Sequence, residues 1–236
     1  MTEKKKNDNS KYNQLDDSQL NWLHILFQWI NIRILSVYFR LKYDFHVHGR
    51  EHKPKGLQSY LIACNHVSSA DPPMVGVAID FQPVSFMAKV ELFQNYWMRT
   101  YNWWVATFAV NREKLELSTV KSALKVLKHG KWALCIFPEG TRNKEGKIKE
   151  AKRGVAYFAQ SAKVPIMPMS ITHTPPPPSK KGKLRVDIRI GPMIPYDPNV
   201  SIDELTQKVQ ASIATLIEEA KSDQCQTEPP ALIGKS

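Results

Sequence analysis

Cysteine is scarce in this sequence, with three in 236 residues: Cys64, Cys135 and Cys225. An odd number without metal-ligand or redox spacing excludes a disulfide scaffold and a cysteine-built zinc or redox motif. Cys64 and Cys135 lie in apolar strand-like runs, so they read as small buried hydrophobes in a reducing compartment. A long uncharged apolar run is also missing. A membrane-crossing helix needs about 20 such residues, and the most apolar stretch, Leu20–Phe45, is broken by Arg33 and Arg40. The opening MTEKKKNDNSKYNQ is polar with no short apolar core behind it, so no cleavable secretory signal is expected. Internal repeats and RNA- or DNA-binding motifs are absent, so nucleic acid is not an expected partner.

Negative charge is in short supply. Asp+Glu number 22 against Lys+Arg 33, a net charge of +11. Between Arg112 and Arg153 there are 12 Lys/Arg and 5 Asp/Glu, so +7 of the excess sits mid-chain. Such a charge suits an anionic membrane surface or a phosphorylated ligand.

What is present has a clear order. Residues 1–17 are polar and expected to be disordered. From Leu20, the apolar residues Leu23, Phe27, Ile30, Ile34, Val37 and Leu41 recur at spacings of three and four, which predicts a helix capped by Asp17 or Ser18. Asn21, His24, Gln28 and Asn31 form a narrow polar stripe on it. Rich in aromatics and ending in basic residues, segment 18–44 fits an interfacial helix lying on a membrane; the plainer reading packs it on the domain's own core. Short strands and helices then alternate. Strands are expected at Phe45–His48, Tyr60–Cys64, Val84–Ala88, Leu134–Phe137, Pro165–Ile171 and Leu184–Ile190. Helices are expected at Pro72–Ile79, Thr119–His129, Ala151–Ala162 and Ile202–Ala220. Trp103–Val110 is a further apolar run, and the tail 222–236 is expected to be loose. This alternation predicts a single α/β domain over 45–221, with a mixed, partly parallel sheet flanked by helices. The N-terminal helix is an appendage.

Two strand ends carry chemistry. After Tyr60–Cys64 comes Asn65-His66-Val67-Ser68-Ser69-Ala70-Asp71-Pro72. Asp71 followed by proline reads as a helix cap, with His66 in the loop before it. On one continuous helix the two would lie about 140° apart, so only a folded loop brings them together. A carboxylate on one ring nitrogen fixes the tautomer and frees the other nitrogen as a base. With seven His and ten Asp, about 0.3 His-x-x-x-x-Asp pairs arise by chance, so the pair alone is weak. After Leu134–Phe137 comes Pro138-Glu139-Gly140-Thr141-Arg142. Gly140 permits close backbone approach, and Thr141 and Arg142 offer donors for a phosphate monoester. Arg112 closes the run Trp103–Val110. Val164-Pro165-Ile166-Met167-Pro168 is a strand whose two prolines suggest a sheet edge.

In this order the four segments resemble the blocks of the glycerolipid acyltransferase superfamily, and within it the 1-acyl-glycerol-3-phosphate acyltransferases. Asn65, His66, Ser68 and Asp71 match Asn-His-x-Ser-x-x-Asp. Arg112 matches the end of the second block, Phe137–Arg142 matches Phe-Pro-Glu-Gly-Thr-Arg, and Val164–Pro168 matches the fourth. One departure is Ala106-Thr107-Phe108-Ala109, where the family usually has a glycine. The resemblance implies His66 as general base oriented by Asp71. Arg112, Glu139, Gly140, Thr141 and Arg142 would hold the phosphate of lysophosphatidic acid, with Asn65, Ser68 and Pro165 also on the substrate side. The implied donor is acyl-CoA or acyl-carrier protein, the product phosphatidic acid, and no cofactor or metal is implied. The expected location is the cytoplasmic side of a membrane, peripheral or monotopic. The other histidines, His173 among them, read as structural or exposed. Rival readings are another lysophospholipid or glycerol 3-phosphate as acceptor, or a non-catalytic basic membrane binder.

Overall fold

The computed structural model describes residues 12–111, 116–143, 149–175 and 182–227. Helix α1 (Trp22–Lys42) opens the domain, capped by Asn21, whose side chain accepts from the Leu23 and His24 amides. Strands β1 (Asp44–His48) and β2 (Leu61–Cys64), helix α2 (Asp71–Ile79) and strand β3 (Val84–Lys89) follow. Next come α3 (Tyr96–Trp104), β4 (Phe108–Val110), α4 (Leu117–Lys128), β5 (Ala133–Ile136) and α5 (Gly154–Ala162). Strands β6 (Ile166–Thr174) and β7 (Arg185–Ile190) and helix α6 (Ile202–Thr227) close it.

The seven strands form one sheet in the order β1-β7-β6-β2-β5-β3-β4. β6, β2, β5, β3 and β4 run parallel, with Ile62 beside both Cys135 and Met167. β7 is antiparallel to β6, and β1 is parallel to β7, so the sheet is mixed as expected. β2 is central and fully buried, which is why it reads as a continuous apolar run. Its side chains alternate between two cores. Leu61 and Ala63 face α4, α5 and α6; Ile62 and Cys64 face α1 and α2. Both Cys64 and Cys135 are free and buried.

Four expectations change. β6 is an interior strand, not an edge. Its register with β7 (Met169 beside Ile190) slips by one residue at the Ile166–Ile194 bridge, and Pro168 sits at that irregularity. A proline tolerates such a place because no ladder bond is demanded of its missing N–H. Residues 12–17 are packed rather than loose: the Leu15 amide donates to Ser122 Oγ and Leu15 is buried. Residues 1–11 lie outside the described residues. α6 continues past Ala220 to Thr227, and Asp223 on it pairs with Arg189 of β7; residues 228–236 lie outside the description. The first two residues of the run Trp103–Val110 belong to α3, and the residues before β4 turn through Ala106 at φ 51°. That left-handed conformation is one that glycine adopts without strain.

The polar stripe of α1 faces inward. His24 and Gln28 are buried, and the Gln28 amide accepts from Val84 N and donates to the carbonyls of Val84 and Val105. It thereby satisfies backbone groups next to the strands. The apolar stripe Leu23, Leu26, Ile30, Ile34, Val37 and Leu41 faces outward, with Ile34 65% and Leu41 70% exposed. Among the described residues no helix is long and apolar enough to cross a membrane.

Candidate active site

The site forms where β2 and β5 end side by side. Beyond Cys64 the chain leaves the sheet, and Asn65 clamps it to β6: its side chain accepts from Ile171 N at 2.8 Å and donates to Ile171 O at 2.9 Å. Both ends of this buried amide are thereby engaged with backbone. Asn65, expected on the substrate side, thus holds the loop against β6.

His66 comes next and is held from every side. Its amide donates to Glu139 Oε1 at 3.2 Å, and its carbonyl accepts from Asn143 N at 2.7 Å. Its ring stacks on Phe137, centroids 4.2 Å apart. Nδ1 meets Asp71 Oδ2 at 2.8 Å. Nε2 is left without a protein partner among the described residues.

Asp71 is the first residue of α2, not its cap; Ala70 holds that position. The carboxylate turns back over the loop, and Oδ2 also accepts from the Val67 and Ser68 amides at 2.7 Å each. Ser68 Oγ accepts from Ala70 N. The turn His66–Asp71 is therefore wound around one oxygen. Asp71 is fully buried. Burial alone pushes its carboxyl up, but donors from His173, His66, Ser68 and Val67 outweigh this and hold it below the usual carboxylate range.

The Phe137–Arg142 segment serves two purposes. Glu139 is buried and bonds the His66 amide and, through Oε2, Lys149 N at 3.4 Å. This acid, an odd choice beside an anion, braces the histidine loop. Gly140 has φ 67°, and a Cβ there would come within 3.1 Å of Lys152 Nζ. Thr141 and Arg142 are exposed. Arg142 and Lys152 are exposed and form no ion pair among the described residues, which places two cations at the mouth of the loop.

Pro165 does not join this group. Its carbonyl accepts from Leu61 N, at the start of β2, roughly 16 Å of strand away from the β2 end where His66 lies. Arg112 lies outside the described residues. The residues that sequence reasoning missed are Phe137 as a stacking wall, Lys152, and His173, whose Nε2 lies 3.5 Å from Asp71 Oδ1. His173 is the visible end of the alternation Met167, Met169, Ile171, but only the sheet topology brings that strand end to α2. Beside the site, an apolar cavity of about 260 Å³ opens between α1, α2, β3 and α3, lined by Ile32, Leu35, Ser69, Pro72, Gly76, Phe86, Leu92 and Met98. Among the described residues no group of three or more His, Cys, Asp or Glu side chains is placed to hold a metal.

A histidine–carboxylate pair with an open ring nitrogen, beside a cationic glycine turn and an apolar cavity, is an arrangement fit for acyl transfer to a hydroxyl. Comparison with known proteins agrees: the chain belongs to the Acyltransferase family, whose sequence profile matches residues 44–172. It is 36% identical over 134 residues to the 1-acyl-sn-glycerol-3-phosphate acyltransferase of Bacillus subtilis, covering 57% of this chain and 65% of that one. The enzyme of the same description from Streptococcus pneumoniae is 30% identical over 187 residues, 75% of this chain and 67% of its own. The matched part thus spans about two thirds of those relatives' length. The fold is that of the 1-acyl-sn-glycerophosphate (LPA) acyltransferase PlsC from Thermotoga maritima, with a TM-score of 0.68 at 24% identity over 84% of this chain and 80% of that one.

Proposed function

We propose that this chain moves a fatty acyl group from an acyl thioester to the sn-2 hydroxyl of 1-acyl-glycerol 3-phosphate, giving phosphatidic acid for phospholipid synthesis. The observation that carries the reading is the open Nε2 of a buried, carboxylate-backed His66 next to the Gly140–Arg142 turn. His66 Nε2 takes the acceptor's hydroxyl proton as its oxygen attacks the thioester carbonyl. The carbon–sulfur bond breaks, and the leaving thiolate takes the proton back from His66. Asp71 stabilises the imidazolium formed between these two events. Arg142, Lys152 and the Gly140 backbone hold the phosphate, with Arg112 and Thr141 assigned to the same task by the family pattern. Glu139 acts through the His66 loop. The apolar cavity beside Ser69 and Pro72 receives an acyl chain. The donor is acyl-CoA or acyl-carrier protein.

The lysolipid acceptor and the acyl chain of the donor both partition into bilayers, so the enzyme works at their surface. The outward apolar stripe of α1 supports docking on an anionic, cytoplasmic membrane face, with the chain's positive charge as the second attraction. The test is a donor-by-acceptor matrix with purified protein: acyl-CoA and acyl-carrier protein against lysophosphatidic acid, other lysophospholipids and glycerol 3-phosphate. Phosphatidic acid as the dominant product supports the proposal. A preference for a head-group-bearing acceptor moves the assignment, and vesicle binding without turnover with any donor would sink it.

A further inference from the structure

We propose that His173 is a positioning residue for the His66–Asp71 pair; this rests on the reading of His66 as the base. β6 carries His173 beyond the end of β2, on the face where Met169 and Ile171 bury against α2. The Asn65 clamp on Ile171 fixes this strand end relative to the His66 loop. Asp71 Oδ2 already takes three donors. Its other oxygen, Oδ1, has no donor at ordinary hydrogen-bond geometry and faces His173 Nε2 at 3.5 Å, close enough to lower the carboxyl's pKa. Both atoms are buried, and neither has another hydrogen-bond partner among the described residues. Two buried polar atoms facing each other without other partners are complementary when Nε2 carries the proton.

The chemical consequence follows from the shared carboxylate. Asp71 must favour imidazolium on His66 without taking the Nδ1 proton that faces it, so that Nε2 can hand its own proton to the leaving thiolate. A donor on Oδ1 draws charge from Oδ2 and makes the carboxylate a weaker proton acceptor. His173 thereby keeps the Nδ1 proton on His66 and fixes the plane of the carboxylate. The other titratable groups around this centre are Glu139 after β5 and the thiols of Cys64 on β2 and Cys135 on β5. Burial pushes both thiols up, with Asp71 adding to the effect, so they stay uncharged through the working range.

The experiment is a set of pH–rate profiles for wild type, His173→Ala and His173→Gln, with His66→Ala as control. Losing the Oδ1 donor makes Asp71 a stronger partner for imidazolium. The acid limb of kcat/KM in His173→Ala should therefore move to higher pH by about half a unit to one unit. The same variant should lose about threefold to thirtyfold in kcat, with KM for both substrates within about twofold of wild type. His173→Gln, whose amide N–H can reach Oδ1, should return the limb towards its wild-type position. A purely structural histidine would change melting temperature and leave the limb in place. Profiles of His173→Ala and wild type that superimpose, with His66→Ala inactive, would overturn this inference alone; a Gln variant that behaves like Ala would do the same. An active His66→Ala would instead remove the base assignment, and the inference with it.

Discussion

Asp71→Asn removes one negative charge from a fully buried side chain and hardly alters its shape. Oδ2 accepts from His66 Nδ1 at 2.8 Å and from the Val67 and Ser68 amides at 2.7 Å. Hydrogen bonds to a charged partner contribute about 1.5–3 kcal/mol each, against about 1 for neutral ones. Relief from burying a charge offsets part of the loss, leaving a net destabilisation of about 1–3 kcal/mol. The kinetic effect should be larger. An asparagine that turns its NH₂ towards His66 favours the tautomer with the proton on Nε2, and that nitrogen can then no longer accept one. A neutral residue also stabilises imidazolium poorly. Together these should lower kcat by about 10²–10⁴-fold, with KM little changed because Asp71 lies behind His66 and out of reach of substrate. The assay is initial-rate phosphatidic acid formation from acyl-CoA and 1-acyl-glycerol 3-phosphate at varied acceptor, with a thermal melt alongside. A folded Asp71→Asn with kcat within about threefold of wild type would refute the reasoning.

Arg142→Ala should raise KM for lysophosphatidic acid about tenfold to a hundredfold and leave KM for acyl-CoA unchanged, because the exposed guanidinium is free to meet a phosphate; an unaltered acceptor KM would remove its assigned role. The double substitution Ile34→Asp, Leu41→Asp should weaken binding to anionic vesicles by about tenfold or more at unchanged melting temperature, since both side chains point away from the core; equal flotation of variant and wild type would move the membrane contact elsewhere. The Asp71 carboxyl is held below its ordinary 3.8, so its contribution to stability is complete above that value and is lost as pH falls through the lowered folded one. The wild-type melting temperature should accordingly fall towards that of Asp71→Asn on acidification; a gap between the two that is as wide at low pH as at neutrality would contradict the sign.

Much of this was legible in the sequence, because the signals involved are local. YLIAC and ALCI announce buried parallel strands, and a histidine loop or glycine turn directly after such a strand falls at one end of the sheet. The α/β class and the His66–Asp71 contact followed from that. Facing was harder. Periodicity shows that α1 has a polar stripe and an apolar stripe, but not which one is inside, and the buried Gln28 reverses the usual choice by bonding Val84 and Val105. Pro168 suggested an edge strand because a ladder irregularity leaves no local trace. The bond of Glu139 to the His66 amide was out of sight because the two are 73 residues apart. Pro165 sits in a matching block, yet its strand enters the sheet at the end far from the chemistry. His173 was passed over for the same reason: contact with Asp71 needs β6 beside β2, and only tertiary structure supplies that.

The account rests on His66 Nε2 as the proton acceptor. The most direct measurement is single-turnover acyl transfer by purified His66→Ala, with acyl-CoA and 1-acyl-glycerol 3-phosphate in vesicles, on protein whose melting temperature and vesicle binding match wild type. The account predicts no phosphatidic acid above the uncatalysed background. Transfer at a rate near wild type would contradict it.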